Sequence, residues 1–257
     1  MNARLPILVV CAISLATAES VPVRHTEGLL RGYLVLRDVE GTILASGDLS
    51  QVSKGGQVTN ELSFRFKDGS VHKETTIYAQ RGVFKLLSYH LVQKGPAFKR
   101  PTDMTINGSN GQVTVRYTDE DGKEKSSSET IKDMPGDVAN GLPPILLNNI
   151  DRNVPKTTVS MVASTPKPRL VKLNISPDGE DTFSIAGSPR KALRYVVKVE
   201  IGGVSGVVAP IVGKQPPDTR IWIVGGAVPG FVRSEGPLCE GCPIWRIELA
   251  SPVWPKP

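Results

Sequence analysis

From Glu27 to Thr130 apolar and polar residues alternate with a period of two, broken by turn signals about every 8 to 12 residues, the rhythm of an antiparallel sheet. Over 60–67, Leu62, Phe64 and Phe66 fall on one face and Glu61, Ser63, Arg65 and Lys67 on the other. Asp68-Gly69 then turns the chain into strands expected at 70–79 and 82–93. A second hairpin is expected from 112–118 and 123–131 around Asp119, Glu120, Asp121 and Gly122. The rhythm changes at 133–150, where Val138, Leu142, Ile145, Leu146 and Ile150 recur at three- and four-residue steps. Pro143 and Pro144 suit the first turn of a helix and Asn148-Asn149 its end, with a break near Gly141. Alternation then resumes in strands expected at 157–163, 169–176, 181–186, 192–201, 220–224, 231–234 and 244–249.

This pattern predicts a mainly β fold: an antiparallel, strongly curved sheet or incomplete barrel with one short helical segment, about 133–150, packed against it. The segment joins two strand-rich halves, 27–131 and 156–250, within a single domain over 19–257. Such a chain can bury roughly 70% of its unfolded surface, enough for a substantial core without metal.

Residues 1–18 form the pattern of a secretory signal peptide, with Arg4 near the start, an apolar run over 5–15 and small residues at Ala16 and Ala18. Cleavage is expected near Ala18, making the protein periplasmic or secreted. The run is shorter than the roughly 20 apolar residues a helix needs to cross a bilayer, and later stretches are interrupted by charge, Gly or Pro. The chain carries 31 Lys and Arg against 25 Asp and Glu, a net charge of +6, which loss of Arg4 with the leader lowers by one. Basic and acidic residues are interspersed, which argues against nucleic acid as a partner.

Beyond the leader the cysteines are Cys239 and Cys242, separated by Glu240 and Gly241 and followed by Pro243. In an oxidising compartment the pair reads as a structural disulfide; free thiols and a redox or metal-linked pair are the alternatives. Pro237, Gly241 and Pro243 mark a turn between short strands, whereas a thioredoxin-like site opens a helix. The chain has three histidines, His25, His72 and His90, without metal-ligand spacing, and no metal or cofactor is expected. Asp119, Asp121 and Gly122 resemble part of a calcium loop but lack its downstream glutamate. Ser205 lacks the strand-to-helix elbow of a hydrolase nucleophile. No dinucleotide or phosphate-loop fingerprint appears, and an enzyme would need a hidden titratable cluster, with His72, His90 and Asp103 as its candidates. The glycine-rich apolar passage 202–213 reads either as a strongly curved wall or as a flap over a cavity. In 192–201 Tyr195, Val197, Val199 and Ile201 share one face and Arg194, Lys198 and Glu200 the other; Trp245 and Ile247 likewise oppose Arg246 and Glu248.

The order of strands, then the run around Pro135, Asp137, Asn140-Gly141 and Leu146-Leu147, then strands, resembles uncharacterised bacterial exported proteins built on domains of unknown function. More distantly it is similar to the periplasmic lipoprotein-carrier half-barrels, in which a helical segment between two sets of strands plugs an incomplete barrel. Those carriers begin with a helix, whereas this chain reads as strand from Glu27. The resemblance implies a periplasmic binding or carrier protein for an apolar or acyl-bearing ligand such as a lipid. Leu142, Ile145 and Leu146 would line the plug, and Phe64, Phe66, Trp222 and Trp245 the wall. The competing expectation is a non-enzymatic envelope module with a solid core that presents a surface to a protein partner.

Overall fold

The computed structural model describes residues 20–185, 187–201, 216–226 and 228–250. The leader, the passage 202–213, Ser205 and Trp254 lie outside the described residues. The first half of the chain forms β1 (Leu30–Arg37), β2 (Ile43–Lys54), β3 (Gln57–Phe66), β4 (Val71–Arg81), β5 (Val83–Lys94), β6 (Thr102–Asn107), β7 (Gln112–Thr118) and β8 (Glu124–Thr130). After the helix α1 (Pro143–Leu147) come β9 (Thr157–Ala163), β10 (Arg169–Ile185), β11 (Ser188–Glu200), β12 (Thr219–Val224), β13 (Gly230–Gly236) and β14 (Trp245–Ala250).

All fourteen strands belong to one antiparallel sheet in the order β8-β7-β6-β5-β4-β3-β2-β1-β14-β13-β12-β11-β10-β9. Two meanders therefore meet where β14 pairs with β1, with Leu34 opposite Leu249 and Leu36 opposite Ile247. The ends of the order, β8 and β9, do not pair, so the sheet is barrel-like but unclosed. Its two halves roll onto a shared core: Met104 and Ile106 of β6 lie in the same buried cluster as Tyr195 and Val197 of β11.

Most elements follow the alternation. The hairpin at Asp68-Gly69 is present, and the acidic turn at 119–122 is an ordinary hairpin turn, with Asp119 Oδ1 accepting from the Asp121 and Lys123 amides. Two expectations are corrected. The strands expected at 169–176 and 181–186 are one, β10, because the ladder with β11 resumes after a bulge between Pro177 and Glu180. Proline has no N–H to give the ladder, so the interruption is local rather than terminal. The helix expected over 133–150 is confined to Pro143–Leu147, with Pro at its first turn. Five residues are too few for a helix to stand alone, and burial of Ile145, Leu146 and Leu147 stabilises it.

The rest of that segment is a series of turns around one parallel bridge, from Val138 to Ser160 of β9. Asp137 to Asn140 runs parallel to β9: the Ala139 amide donates to Ser160 O at 2.8 Å and the Ser160 amide to Asp137 O at 3.3 Å. Asn140 prolongs the ladder with its side chain, giving Nδ2 to Val162 O and taking the Val162 amide on Oδ1, both at 2.9 Å. Gly141 then turns the chain into the barrel at φ +70, where a Cβ would collide with Thr76 and Glu74 of β4. A second glycine shapes the wall: the Phe64 ring lies over Gly47 of the neighbouring strand, filling the space a Cβ would occupy.

Candidate functional site

The alternating turns of the meander define two ends. At the lower end, with the β2–β3 and β4–β5 turns, the chain over 20–28 crosses the opening as a strap. Val21 is buried against the larger core cluster, and Pro22 pairs with Val83. Asn149 Oδ1 accepts both the Arg24 amide at 2.8 Å and the His25 amide at 2.7 Å, and its Nδ2 donates to Ile145 O. Glu27 and Gln80 exchange two hydrogen bonds, and Glu27 also accepts from Gln51. Burial, and then the Glu27 charge, push the Tyr78 phenol well above its ordinary pKa. Every polar group named in this strap has a partner.

The upper end is built differently. Phe66 at the end of β3, Phe98 in the β5–β6 loop and Trp245 at the start of β14 pack mutually edge-on or tilted, with centroids 5.4 to 6.0 Å apart. Leu34, Leu36, Ala45, Phe64, Ile247 and Cys242 complete the buried part of this cluster. Cys239 and Cys242 are disulfide-bonded, which closes a tight turn within the β13–β14 loop, and Gln93 Nε2, donating to Leu238 O, and Arg100, paired with Glu240 at 2.8 Å, tie that loop to β5 and the residues after it.

Above the aromatics lies an apolar recess of about 250 Å³. Phe66 and Trp245 form its floor, Thr42, Ile43, Leu44 and Ala97 its walls, and Lys67 and Asp68 its rim. Local turn chemistry sets each wall. Asp38 Oδ1 takes the Thr42 amide, and the Lys67 amide donates to Leu44 O, joining the β1–β2 and β3–β4 turns. Asp68 accepts the Ser70 amide, and Ser70 Oγ in turn takes the Ala97 amide at 2.9 Å, which brings in the third wall. Asp68 is thus used by its own turn, whereas Lys67 is exposed and has no ion pair among the described residues. Ile43 is 37% exposed although it faces an aromatic floor. An aromatic floor with a single free cation at its rim suits a small apolar group carrying an acid.

Between the two ends a polar seam crosses the interior. His72, 1% exposed, stands between Phe64 and Phe98; its Nδ1 is 3.1 Å from Gln93 Nε2 and its Nε2 3.7 Å from the Glu74 carboxylate. Tyr89 donates to Glu74, and burial followed by the Glu74 charge raises its pKa well above the ordinary value. Of the three titratable residues singled out from the sequence, His90 and Asp103 pair at 3.0 Å in an exposed position, whereas His72 is interior and apart from them.

The wall and plug residues expected from the sequence separate into three places. Leu142, Ile145 and Leu146 are buried in the larger cluster. Phe64, Phe66 and Trp245 lie in the upper cluster, and Phe66 and Trp245 meet at the recess. Trp222 points away from its core-facing neighbours Ile221 and Ile223. It donates to Asp181 Oδ2 at 2.6 Å, meets Phe183 edge-on and lies 5.7 Å from the Arg233 guanidinium. That indole bond, with Arg194 and Arg233 beside it, holds the Asp181 carboxyl below its ordinary pKa. Sequence reading missed Ile43, Leu44, Lys67, Ala97 and Phe98, whose turns meet only in three dimensions. The local signal was the Gly95-Pro96 turn before Ala97 and Phe98.

No family model matches the chain, and no curated protein matches it. Among solved structures it is similar to the crystal structure of a β-barrel-like protein of domain of unknown function DUF1849 from Brucella abortus. The identity is 11% and the TM-score 0.47, over 93% of this chain and 100% of that one. Among the described residues no helix is long and apolar enough to cross a membrane, and the disulfide fits an oxidising compartment.

Proposed function

We propose that the protein is an exported binding protein that takes a small apolar molecule, or the end of an acyl chain, in the upper recess. The observation that carries this reading is an open apolar hollow of about 250 Å³, floored by Phe66 and Trp245, on a barrel whose plug is packed into its core. The volume lies just below the usual range for drug-sized ligands, roughly 300 to 1,000 Å³, and suits a short chain. Lys67 at the rim adds attraction for a carboxylate or phosphate head without a buried charge to desolvate. In this reading Phe66 and Trp245 line the site, and Leu142, Ile145 and Leu146 hold the scaffold beneath.

The test is calorimetric titration of the mature protein with decanoate and with decanol. Ile43→Glu should weaken both about tenfold, since removing the apolar contact of one Ile is worth about 1.5 kcal/mol or more. Lys67→Ala should weaken decanoate and leave decanol unchanged. Absence of binding by either probe, or binding indifferent to Ile43→Glu, would sink the proposal. A protein-interaction role is the second reading, and the outer edge of β8, which no described strand pairs, favours it.

A further inference from the structure

The two ends of the sheet order are treated differently by the chain. The edge of β9 is covered by Asp137 to Asn140, whereas no described segment pairs with the outer edge of β8. Exposed edges invite pairing with another chain, and proteins commonly blunt them with charge. The β8 sequence, Glu124-Lys-Ser-Ser-Ser-Glu-Thr130, is polar throughout, so blunting is the plain account of it. Its arrangement goes further than that.

Backbone direction settles which residues are free to pair. The Ile131 amide donates to Gly111 O, and Lys123 O accepts the Asp119 amide, so odd-numbered residues of this strand turn their hydrogen-bonding groups toward β7. Glu124, Ser126, Ser128 and Thr130 therefore present theirs outward. A second copy placed antiparallel about a two-fold axis at Ser127 sets Ser126 opposite Ser128 and Glu124 opposite Thr130, all outward-bonding pairs. The intervening pairs, where side chains come closest, are then Ser127 with itself and Lys125 with Glu129, the latter occurring twice. Moving the axis to Ser126 or Ser128 places Lys125 or Glu129 opposite Ser127, and the charge pairs that remain, Lys123 with Glu129 or Glu124 with Lys132, then need a residue beyond the ends of β8. Small serines at the centre let the strands approach, and no like charges face each other.

We infer that β8 is a self-pairing edge, through which two copies of this chain join their sheets about Ser127. Lys125, half exposed and 3.6 Å from Asp119, would exchange that surface contact for Glu129 of the second copy. Two cross-strand charge pairs are individually small, so the dimer is weak and its register is its signature.

The register is read by disulfide trapping. Cys239 and Cys242 are bonded to each other, so Ser127→Cys introduces the sole free thiol among the described residues. Under mild oxidation Ser127→Cys should form a covalent dimer on the order of tenfold faster than Ser46→Cys, an exposed strand position elsewhere, because pairing raises the local thiol concentration. Adding Lys125→Glu should return the rate to that of the control, and adding Glu129→Lys as well should restore it. Equal rates for Ser127→Cys and Ser46→Cys, or a rate indifferent to Lys125→Glu, would overturn the inference. So would an edge protected from hydrogen exchange only when a foreign extended peptide is added. Sedimentation of the unsubstituted protein and Lys125→Glu gives an independent reading, with self-association expected only in the former.

Discussion

The two ends of the barrel are closed by different physics. At the lower end the strap over 20–28 is held by reciprocal hydrogen bonds from Asn149, Glu27, Gln80 and Gln51, and apolar contact is limited to its first residues. At the upper end closure is aromatic, under a loop tightened by a disulfide, and it leaves an apolar recess above the buried Phe66 and Trp245 with Ile43 37% exposed at its wall. The polar groups of the lower seal are largely spent on one another, with the buried Asn148 Oδ1 left without a partner among the described residues. An apolar recess still has free energy to gain from burial, and on this difference rests the proposal that the upper end is the one that takes a ligand.

The largest way to break the comparison is Phe98→Ala. Phe98 is 2% exposed and packs edge-on against both Phe66 and Trp245, so its loss should cost about 3 to 5 kcal/mol in urea unfolding. It should also enlarge the recess and shift its preference to bulkier apolar probes. Unchanged stability would mean that the aromatic cluster does not hold the upper end together. A smaller effect is expected at the other end. Asn149→Ala strands two strap amides and should cost about 1 to 3 kcal/mol, with decanoate binding unaffected. If binding fell in parallel, the two ends would be coupled and the distinction lost.

The smallest effect is one of pH. A hydrogen bond from the Asn153 amide, and then one from Arg24 at 3.0 Å, hold the Asp151 carboxyl below its ordinary value of 3.8. A depressed carboxyl contributes stability above that ordinary value and loses it as pH falls through the lower, folded-state value. The strap amides of Arg24 and His25 should therefore lose hydrogen-exchange protection below about pH 4, and Asp151→Asn should remove that dependence. The upper end should show no matching transition. Protection that is flat with pH would sever Asp151 from the strap.

Several elements were legible because period-two alternation reports burial directly. Phe64 and Phe66 face inward as read, and Tyr195 and Val197 enter the core while Arg194 meets Asp178 and Asp181 on the other face. Trp222 marks the limit of that logic. Its neighbours Ile221 and Ile223 point inward, so alternation sends the indole to the other face, where Phe183 and Arg233 cover it. Aromatic content alone pointed inward. Similarly, Leu142, Ile145 and Leu146 were recognisable as an apolar face, but that pattern is the same whether the residues line a cavity or fill one.

By itself the sequence determined the strands, most of their turns and the apolar faces, since these depend on neighbouring residues and on the backbone preferences of Asp, Gly and Pro. Only the tertiary structure decided that β14 pairs with β1, that Asn140 extends the edge of β9, and that three separate turns surround Phe66 and Trp245. Those features join residues far apart along the chain. Their formation depends on how the whole sheet curls, and no local pattern encodes that curvature.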